Sequence, residues 1–257
     1  AVDLTADEIG VLSNNGVLQE IVPPSTRRLY WQQDAALTLQ RIDTRDVRVP
    51  VDVMNAALQP RRNGALKGRD AMLVVQVPAW HVGVVKIDGE IQALLPPGLT
   101  AYWKINHLVE AEIVDTRLQV VEVSGQEILT KDKVNLRLNL AANWRYSDVL
   151  QACGQLTKPL EHLYRELQFA LREAVGTRTL DELLEDKQII DEVVSKQVQG
   201  RLSSFGMEIA SLGVKDIVLP GDMKTILSRL VEAEKSAQAN VIRRREETAA
   251  TRSLLNT

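Results

Sequence analysis

EILTKDKVNLRLNLAANWRY, residues 127–146, contains the longest regular pattern in the chain. Val134, Leu136, Leu138, Leu140, Ala142, Trp144 and Tyr146 alternate without a break, while Asn135, Arg137, Asn139 and Asn143 face the other way. A period of two puts the apolar side chains on one face. The stretch therefore reads as a long strand, buried on one side and wet on the other. What covers the buried face must come from the flanking sequence.

Upstream, one phrase is written twice. PPSTRRLYW begins at Pro23 and PPGLTAYW at Pro96. The flanks agree as well, EIGVLSNNGVLQEIV (residues 8–22) against HVGVVKIDGEIQALL (residues 81–95). Gly10 pairs with Gly83, Gly16 with Gly89 and Gln19 with Gln92 at one offset. After a single-residue gap, Tyr30-Trp31 pairs with Tyr102-Trp103, and Asp43-Thr44-Arg45 with Asp115-Thr116-Arg117. Glycines, prolines and an aromatic pair in one order point to an internal duplication of a small β unit rather than to two meanders that converged on similar turns. Asn14-Asn15-Gly16 and Asp88-Gly89 supply residues that tolerate positive φ and mark hairpin turns. Val47, Val49, Val51 and Val53 alternate with polar residues and Pro50, so residues 47–53 read as a further strand. Residues 55–70, NAALQPRRNGALKGRD, are basic, contain Pro and Gly and lack a period. They read as a linker or exposed loop joining the two copies.

Downstream, the period changes. Pro159 suits a first helical turn, where its missing N–H costs nothing. Leu160, Leu163, Leu167, Ala170, Leu171 and Ala174 form a stripe, and Gly176 is placed to end the helix in the left-handed conformation. Thr179 and Glu182 make a capping box for the next helix, which carries Leu183, Ile190, Val194 and Leu202 inward and ends near Phe205-Gly206. MEIASLGVKDIVLP (residues 207–220) reads as a strand, and Asp222 as the cap of a last helix. That helix has only a thin apolar stripe, Ile226, Leu230, Ala233, Ala237 and Val241, among charged residues. Ile226 to Ala237 and Leu230 to Val241 both span eleven residues, a period that keeps the stripe on one side. A helix polar on most faces with one narrow seam packs on copies of itself or projects into solvent.

The 257 residues suffice for a buried core, and 45% apolar with 25% charged content places the chain among globular proteins. A net charge of −3 gives no basic footprint for nucleic acid. No window approaches the ~18 apolar residues of a membrane span. The start, AVDLTADEIG, shows no signal peptide and no initiator methionine, so a segment upstream of Ala1 is expected to be missing.

The usual motifs of nucleotide, metal and nucleophilic chemistry are absent from the sequence. Neither a catalytic, a cofactor nor a metal site is expected. Cys153 has no companion cysteine, and His162, nine residues on, is a possible but unspecific partner for a thiol nucleophile, which leaves a Cys153 hydrolase as a remote alternative. Asp181, Glu182, Glu185 and Asp186 read as carboxylates attracted to a helix N-terminus rather than as an acidic site. Arg243-Arg244-Arg245 is followed at once by Glu246-Glu247 and reads as a solvated face.

Gln126-Glu127-Ile128-Leu129-Thr130-Lys131-Asp132 and the strand after it resemble the signature of stomatins and slipins in the SPFH (band-7) family. LREAVGTRTLDELLEDKQII (residues 171–190), FGMEIASLGVKDIVLP (residues 205–220) and AEKSAQANVI (residues 233–242) match in the family's order. The resemblance implies an α+β fold: an SPFH domain with a curved antiparallel sheet and packed helices, followed by a long helix. On that basis the expected organisation is an extra N-terminal β unit at residues 1–54, a linker at 55–70, the SPFH domain at 71–221 and a C-terminal oligomerising helix from 222 to 257. The resemblance further implies a non-enzymatic, membrane-associated scaffold that assembles with itself into a ring or cage and organises membrane patches. Lipid attachment would come through a segment upstream of this chain, on a side of the membrane left open. Regulation of a membrane-bound protease is the alternative. The proline-glycine loop would lie near lipid, here Pro96, Pro97, Gly98 and Leu99, with Tyr102 and Trp103 beyond; those two aromatics suit a membrane interface and a strand core equally well. The extra β unit lacks helices to cover it, so it should lie against the main domain or a neighbouring subunit, and its removal is expected to weaken assembly without unfolding the rest.

Overall fold

The computed structural model describes residues 1–30, 37–61, 65–185 and 188–255. The chain forms two compact units. The first comprises residues 1–118, 145–157 and 205–207, the second residues 119–144, 158–204 and 208–257.

The first unit contains both copies of the repeat. The first copy is β1 (Val2–Asp3), β2 (Glu8–Asn14), β3 (Val17–Val22), β4 (Arg27–Arg28) and β5 (Leu37–Asp43). After α1 (Val51–Leu58) and a 3-10 turn at Arg69–Ala71 come β6 (Met72–Val77), β7 (His81–Ile87), β8 (Glu90–Leu95), β9 (Gly98–Trp103) and β10 (Val109–Asp115). The sheets β3-β2-β5 and β8-β7-β10 have the same order, and β1 pairs with β4 as β6 does with β9.

The registers coincide residue by residue. Gly10 faces Val22 as Gly83 faces Leu95, and Val2 faces Arg28 as Val75 faces Thr100. The register shift between Leu12 and Ser13 recurs between Val85 and Lys86. Both hairpins turn through two left-handed residues, Asn15-Gly16 and Asp88-Gly89, as two-residue hairpins of the right twist require. Each copy has its own cluster of equivalent side chains: Val2, Leu4, Leu12 and Val22 in one, Val75, Val77, Val85 and Leu95 in the other. The duplication is thus a property of the fold. Trp31 of the repeated phrase lies outside the described residues.

Two expectations for the segment between the copies are corrected. Residues 47–53 are not one strand. Only the backbone around Arg48 pairs, antiparallel to β9: the Val49 N–H donates to the Ala101 carbonyl (2.9 Å) and the Trp103 N–H to the Val47 carbonyl (2.8 Å). Pro50, with φ −55° and no N–H to offer a ladder, stops the pairing and starts α1. Val53, Met54 and Ala57 then fall on one helical face and are buried. Nor are the described residues of 55–70 simply a linker or exposed loop. Leu66 is buried, and the Lys67 carbonyl accepts from the Ile21 N–H (2.9 Å). α1 and Leu66 share a single core with Ile9, Ile21, Met72, Ala101 and Trp103, so side chains of both copies pack in one cluster. That cluster also revises the expected effect of removing the N-terminal copy, because Met72, Ala101 and Trp103 would lose their cover.

Later in the chain α2 (Val149–Gln155) joins this unit. Asp148 caps it by accepting from the Gln151 N–H (2.9 Å).

The second unit is built on β11 (Gln119–Leu129), β12 (Asn135–Tyr146) and β13 (Met207–Val218), in the order β11-β12-β13. β12 is the alternating strand read from the sequence: Leu136, Leu138, Leu140, Ala142 and Trp144 are buried and their neighbours are not. α3 (Pro159–Gly176) packs against β11 and α5. It buries Leu163, Leu167, Ala170, Leu171 and Ala174, while Leu160 remains half exposed. Gly176 stays inside the helix, which ends at a right-handed Thr177, so the expected left-handed stop does not occur. α4 (Leu180–Glu185) and α5 (Gln188–Leu202) follow, with Leu183, Ile190, Val194 and Leu202 buried as expected. A 3-10 turn at Ser203–Phe205 precedes β13. α6 (Gly221–Leu255) ends the chain; Asp222 lies in its first turn rather than capping it. Strands with helices packed on them, and a long terminal helix, constitute the expected α+β class.

Candidate functional site

α6 is a single helix of 35 residues, about 50 Å long at 1.5 Å per residue. Among its described side chains only Met223 and Leu227, in the first two turns, are partly covered; those from Val231 to Thr248 are exposed. Ile226 is 57% exposed and Val241 52%, and Ala233 and Ala237 between them are also exposed. The Leu230 side chain lies outside the described residues. The described residues of the expected seam are therefore on the surface. Val231 and Ile242 add exposed apolar area beside it.

The proline-glycine loop divides in two. Pro96, Pro97, Gly98 and Leu99 are exposed, but Tyr102 and Trp103 are 2% and 0% exposed. Those two aromatics belong to the core, the second of the two places open to them, and not to a lipid-facing surface: Trp103 packs in the cluster with Val53, Met54 and Ala57 of α1, and Tyr102 in the cluster with Val75, Val85 and Leu95. The exposed aromatic at this end is Trp80. It follows β6 directly, and the pairing of Val77 with Gly98 brings its turn beside the proline-glycine loop. Trp80 is 71% exposed at φ +65°, and its carbonyl accepts from both the N–H (3.0 Å) and the hydroxyl (2.7 Å) of Thr116. An exposed aromatic at a left-handed turn position leaves no periodic signal, which is why sequence reading passed over it.

The repeated Asp-Thr-Arg triplet closes the last strand of each copy in one way. Thr44 donates its N–H (2.8 Å) and hydroxyl (3.0 Å) to the Asp7 carbonyl, as Thr116 does to Trp80. Asp43 accepts from Nε of Arg45 (2.9 Å) and Asp115 from Nε of Arg117 (2.9 Å), each with a second guanidinium contact. The Arg45 guanidinium, then its backbone N–H, hold the Asp43 carboxyl down at about 2; Arg117 holds Asp115 well below the carboxylate range in the same manner. Both pairs face water, so they serve as turn clamps.

The Thr130-Lys131-Asp132 motif has a structural role in the second unit. The Thr130 hydroxyl donates to Asp132 (2.5 Å), and Asp132 accepts from the Leu180 N–H (3.2 Å) at the start of α4. The Lys131 N–H donates to the Arg178 carbonyl (2.8 Å). The turn between β11 and β12 thus pins the start of α4, where Thr179 and Glu182 form the expected capping box: the Thr179 N–H donates to Oε2 of Glu182 at 2.9 Å and the Glu182 N–H to the Thr179 hydroxyl at 3.4 Å. Hydrogen bonding from Thr130 lowers the Asp132 carboxyl, and the Thr179 N–H lowers that of Glu182. Asp181 and Glu185 lie in α4 as well; Asp186 is outside the described residues.

Cys153 lies partly buried in α2, against the cluster of Val84, Val114 and Val149. Burial, with Glu112 adding to it, pushes its thiol up. A nucleophile needs the opposite shift. His162 lies in α3 of the second unit. Among the described residues no three His, Cys, Asp or Glu side chains gather as a metal site would require, and no helix is long and apolar enough to cross a membrane.

The profile of the SPFH domain / Band 7 family matches residues 75–248, more than half of the chain. A stomatin homolog of Pyrococcus horikoshii is 29% identical over 165 residues, 64% of this chain and 61% of the relative. Mouse stomatin is 27% identical over 141 residues, 55% of this chain and half of the relative. Mechanosensory protein 2 of Caenorhabditis elegans is 29% identical over 141 residues, 55% of this chain and 29% of the relative. The chain thus spans less than two thirds of the length of each of these proteins.

Proposed function

Since the chain belongs to the SPFH domain / Band 7 family, we propose that it is a non-enzymatic, membrane-associated scaffold of the stomatin/slipin type that assembles with copies of itself. The observation that carries this reading is the uncovered seam of α6, with Ile226 and Val241 more than half exposed on a helix of 35 residues. Apolar side chains left in water are stabilised by about 25 cal/mol for every Å² that a neighbour covers. One thin seam supplies little of this. Many subunits closed into a ring or cage supply it at every junction at once, so weak contacts add.

Lipid contact in this reading has two sources. One is a segment outside this sequence. The other is the end of the first unit that exposes Trp80, Pro96, Pro97 and Leu99, since an amphipathic ring suits a headgroup layer. The chain would then act by geometry, holding a patch of bilayer under a lattice of subunits.

Light scattering of the chain over a range of concentrations tests the self-assembly. The mass should rise with concentration, and Ala237→Glu, which sets a carboxylate in the seam, should return the chain to a monomer while its melting temperature stays the same. A strict monomer at high concentration, or assembly indifferent to Ala237→Glu, would refute it.

A further inference from the structure

The two repeats differ at one point that the matched registers make legible. In the first copy the Tyr30 hydroxyl donates to Oε2 of Glu20 (3.3 Å), and Nη1 of Arg28 donates to Oε1 of the same carboxylate (2.7 Å). Glu20 faces Leu12; its counterpart, facing Val85, is Ala93. Tyr30 corresponds to Tyr102. The second copy therefore keeps the tyrosine and lacks the carboxylate. Tyr102 is 2% exposed, and its hydroxyl has no hydrogen-bond partner. A buried hydroxyl without a partner has lost its water and gained no hydrogen bond in return, so the group is unusual.

Where the carboxylate is missing there is space. A pocket of about 260 Å³ is lined by Tyr102, Ala93, Val47, Val85 and Ile87, with Asp46, Arg48 and Gln92 at its polar side. Arg48 pairs with Tyr102 across the strands and lines the pocket, so it supplies a cation in the copy where the counterpart of Arg28 is Thr100. Asp46 is engaged by the Arg48 backbone N–H, which donates to its Oδ1 (3.0 Å). Its charge, set against that of Arg48, leaves room for a ligand with one negative group and disfavours one with two. The walls are otherwise apolar.

We propose that this pocket binds a small monocarboxylate, whose charged group takes between Tyr102 and Arg48 the position that the Glu20 carboxylate fills between Tyr30 and Arg28. The ligand's apolar body lies against Val47, Val85 and Ile87. The site sits where the segment joining the two copies meets β9, so an occupant ties that segment to the second copy.

Calorimetric titration of the whole chain with sodium benzoate tests this, with benzamide as the uncharged control. Benzoate should bind saturably at one site, and benzamide about tenfold more weakly or worse, because a hydrogen bond to a charged acceptor is worth more than one to a neutral acceptor. Ala93→Glu should abolish binding and raise the melting temperature by restoring the internal carboxylate. Tyr102→Phe should weaken binding about tenfold and leave the circular dichroism unchanged. If Ala93→Glu does not fold, Tyr102→Phe and Arg48→Gln decide the matter. Absence of saturable benzoate binding at millimolar concentration, equal binding of benzamide, or binding undiminished in these variants would overturn the proposal.

Discussion

Gly68→Ala should damage this protein far more than its place in a basic, aperiodic stretch suggests. Gly68 has φ +76°, and a Cβ built on it would stand 2.1 Å from the Ile21 carbonyl oxygen and 3.0 Å from the carbonyl carbon. A left-handed backbone costs a residue with a side chain roughly 1–2 kcal/mol. The clash is with backbone and cannot be relieved by turning a side chain, so β3 and residues 67–68 must part. The bond from the Ile21 N–H to the Lys67 carbonyl then breaks, at about 1 kcal/mol. The sum is about 2–3 kcal/mol, a fall in melting temperature of roughly 4–12 °C at about 2–4 °C per kcal/mol. Gly16→Ala is the control. It has nearly the same φ, +77°, but nothing lies within 4 Å of its Cβ, so only the backbone cost of roughly 1–2 kcal/mol applies. Thermal unfolding followed by circular dichroism compares the two, and hydrogen exchange at the Ile21 amide reports the local bond. If Gly68→Ala melts no lower than Gly16→Ala, and Ile21 remains protected, the packing of this segment on β3 is wrong.

The Asp43 clamp has a pH signature. Its folded-state value of about 2 lies below the ordinary carboxylate range, so the stabilisation is complete above pH ~4 and disappears as the pH falls through about 2. NMR titration of the Asp43 carboxyl should show the low midpoint, and Arg45→Ala should return it to the ordinary range; an unchanged midpoint would contradict the assignment to Arg45. Cys153, with its thiol pushed up, should react with an aromatic disulfide at pH 7 more slowly than free glutathione, and Cys153→Ala should leave the assembled mass unaltered. Rapid labelling at neutral pH would reopen the nucleophile reading.

The seam of α6 was legible because it is a statement about one helix: a stripe too thin to be enclosed is read from spacing alone, and exposure follows. Trp80 and the Tyr102 pocket were not legible. Tyr30 and Tyr102 occupy equivalent places in equivalent strands, yet one hydroxyl is paired and the other is not, because residue 20 is Glu and residue 93 is Ala. The sequence contained that difference, but it acquires meaning only once the two positions are known to face their tyrosines.

Sequence by itself determined the elements whose patterns are intrinsic to a short run of chain, the alternation of β12, the helical stripe of α3, the capping box of α4 and the paired left-handed turns, together with the duplication that orders β1 to β10. Each but the duplication depends on bond geometry within a few residues, and the duplication is read by setting two stretches of the sequence side by side. The tertiary structure decided what depends on distant partners. Val47 to Val53 alternate like a strand, but Pro50 denied the ladder a donor, and the core around Trp103 had room for a helix that buries Val53, Met54 and Ala57. Tyr102 and Trp103 could have faced lipid or core. Clusters that gather Ile9, Ile21 and α1 around Trp103, and Val75, Val85 and Leu95 around Tyr102, enclosed them, and such packing is a sum over contacts between residues far apart in the chain that no local window contains.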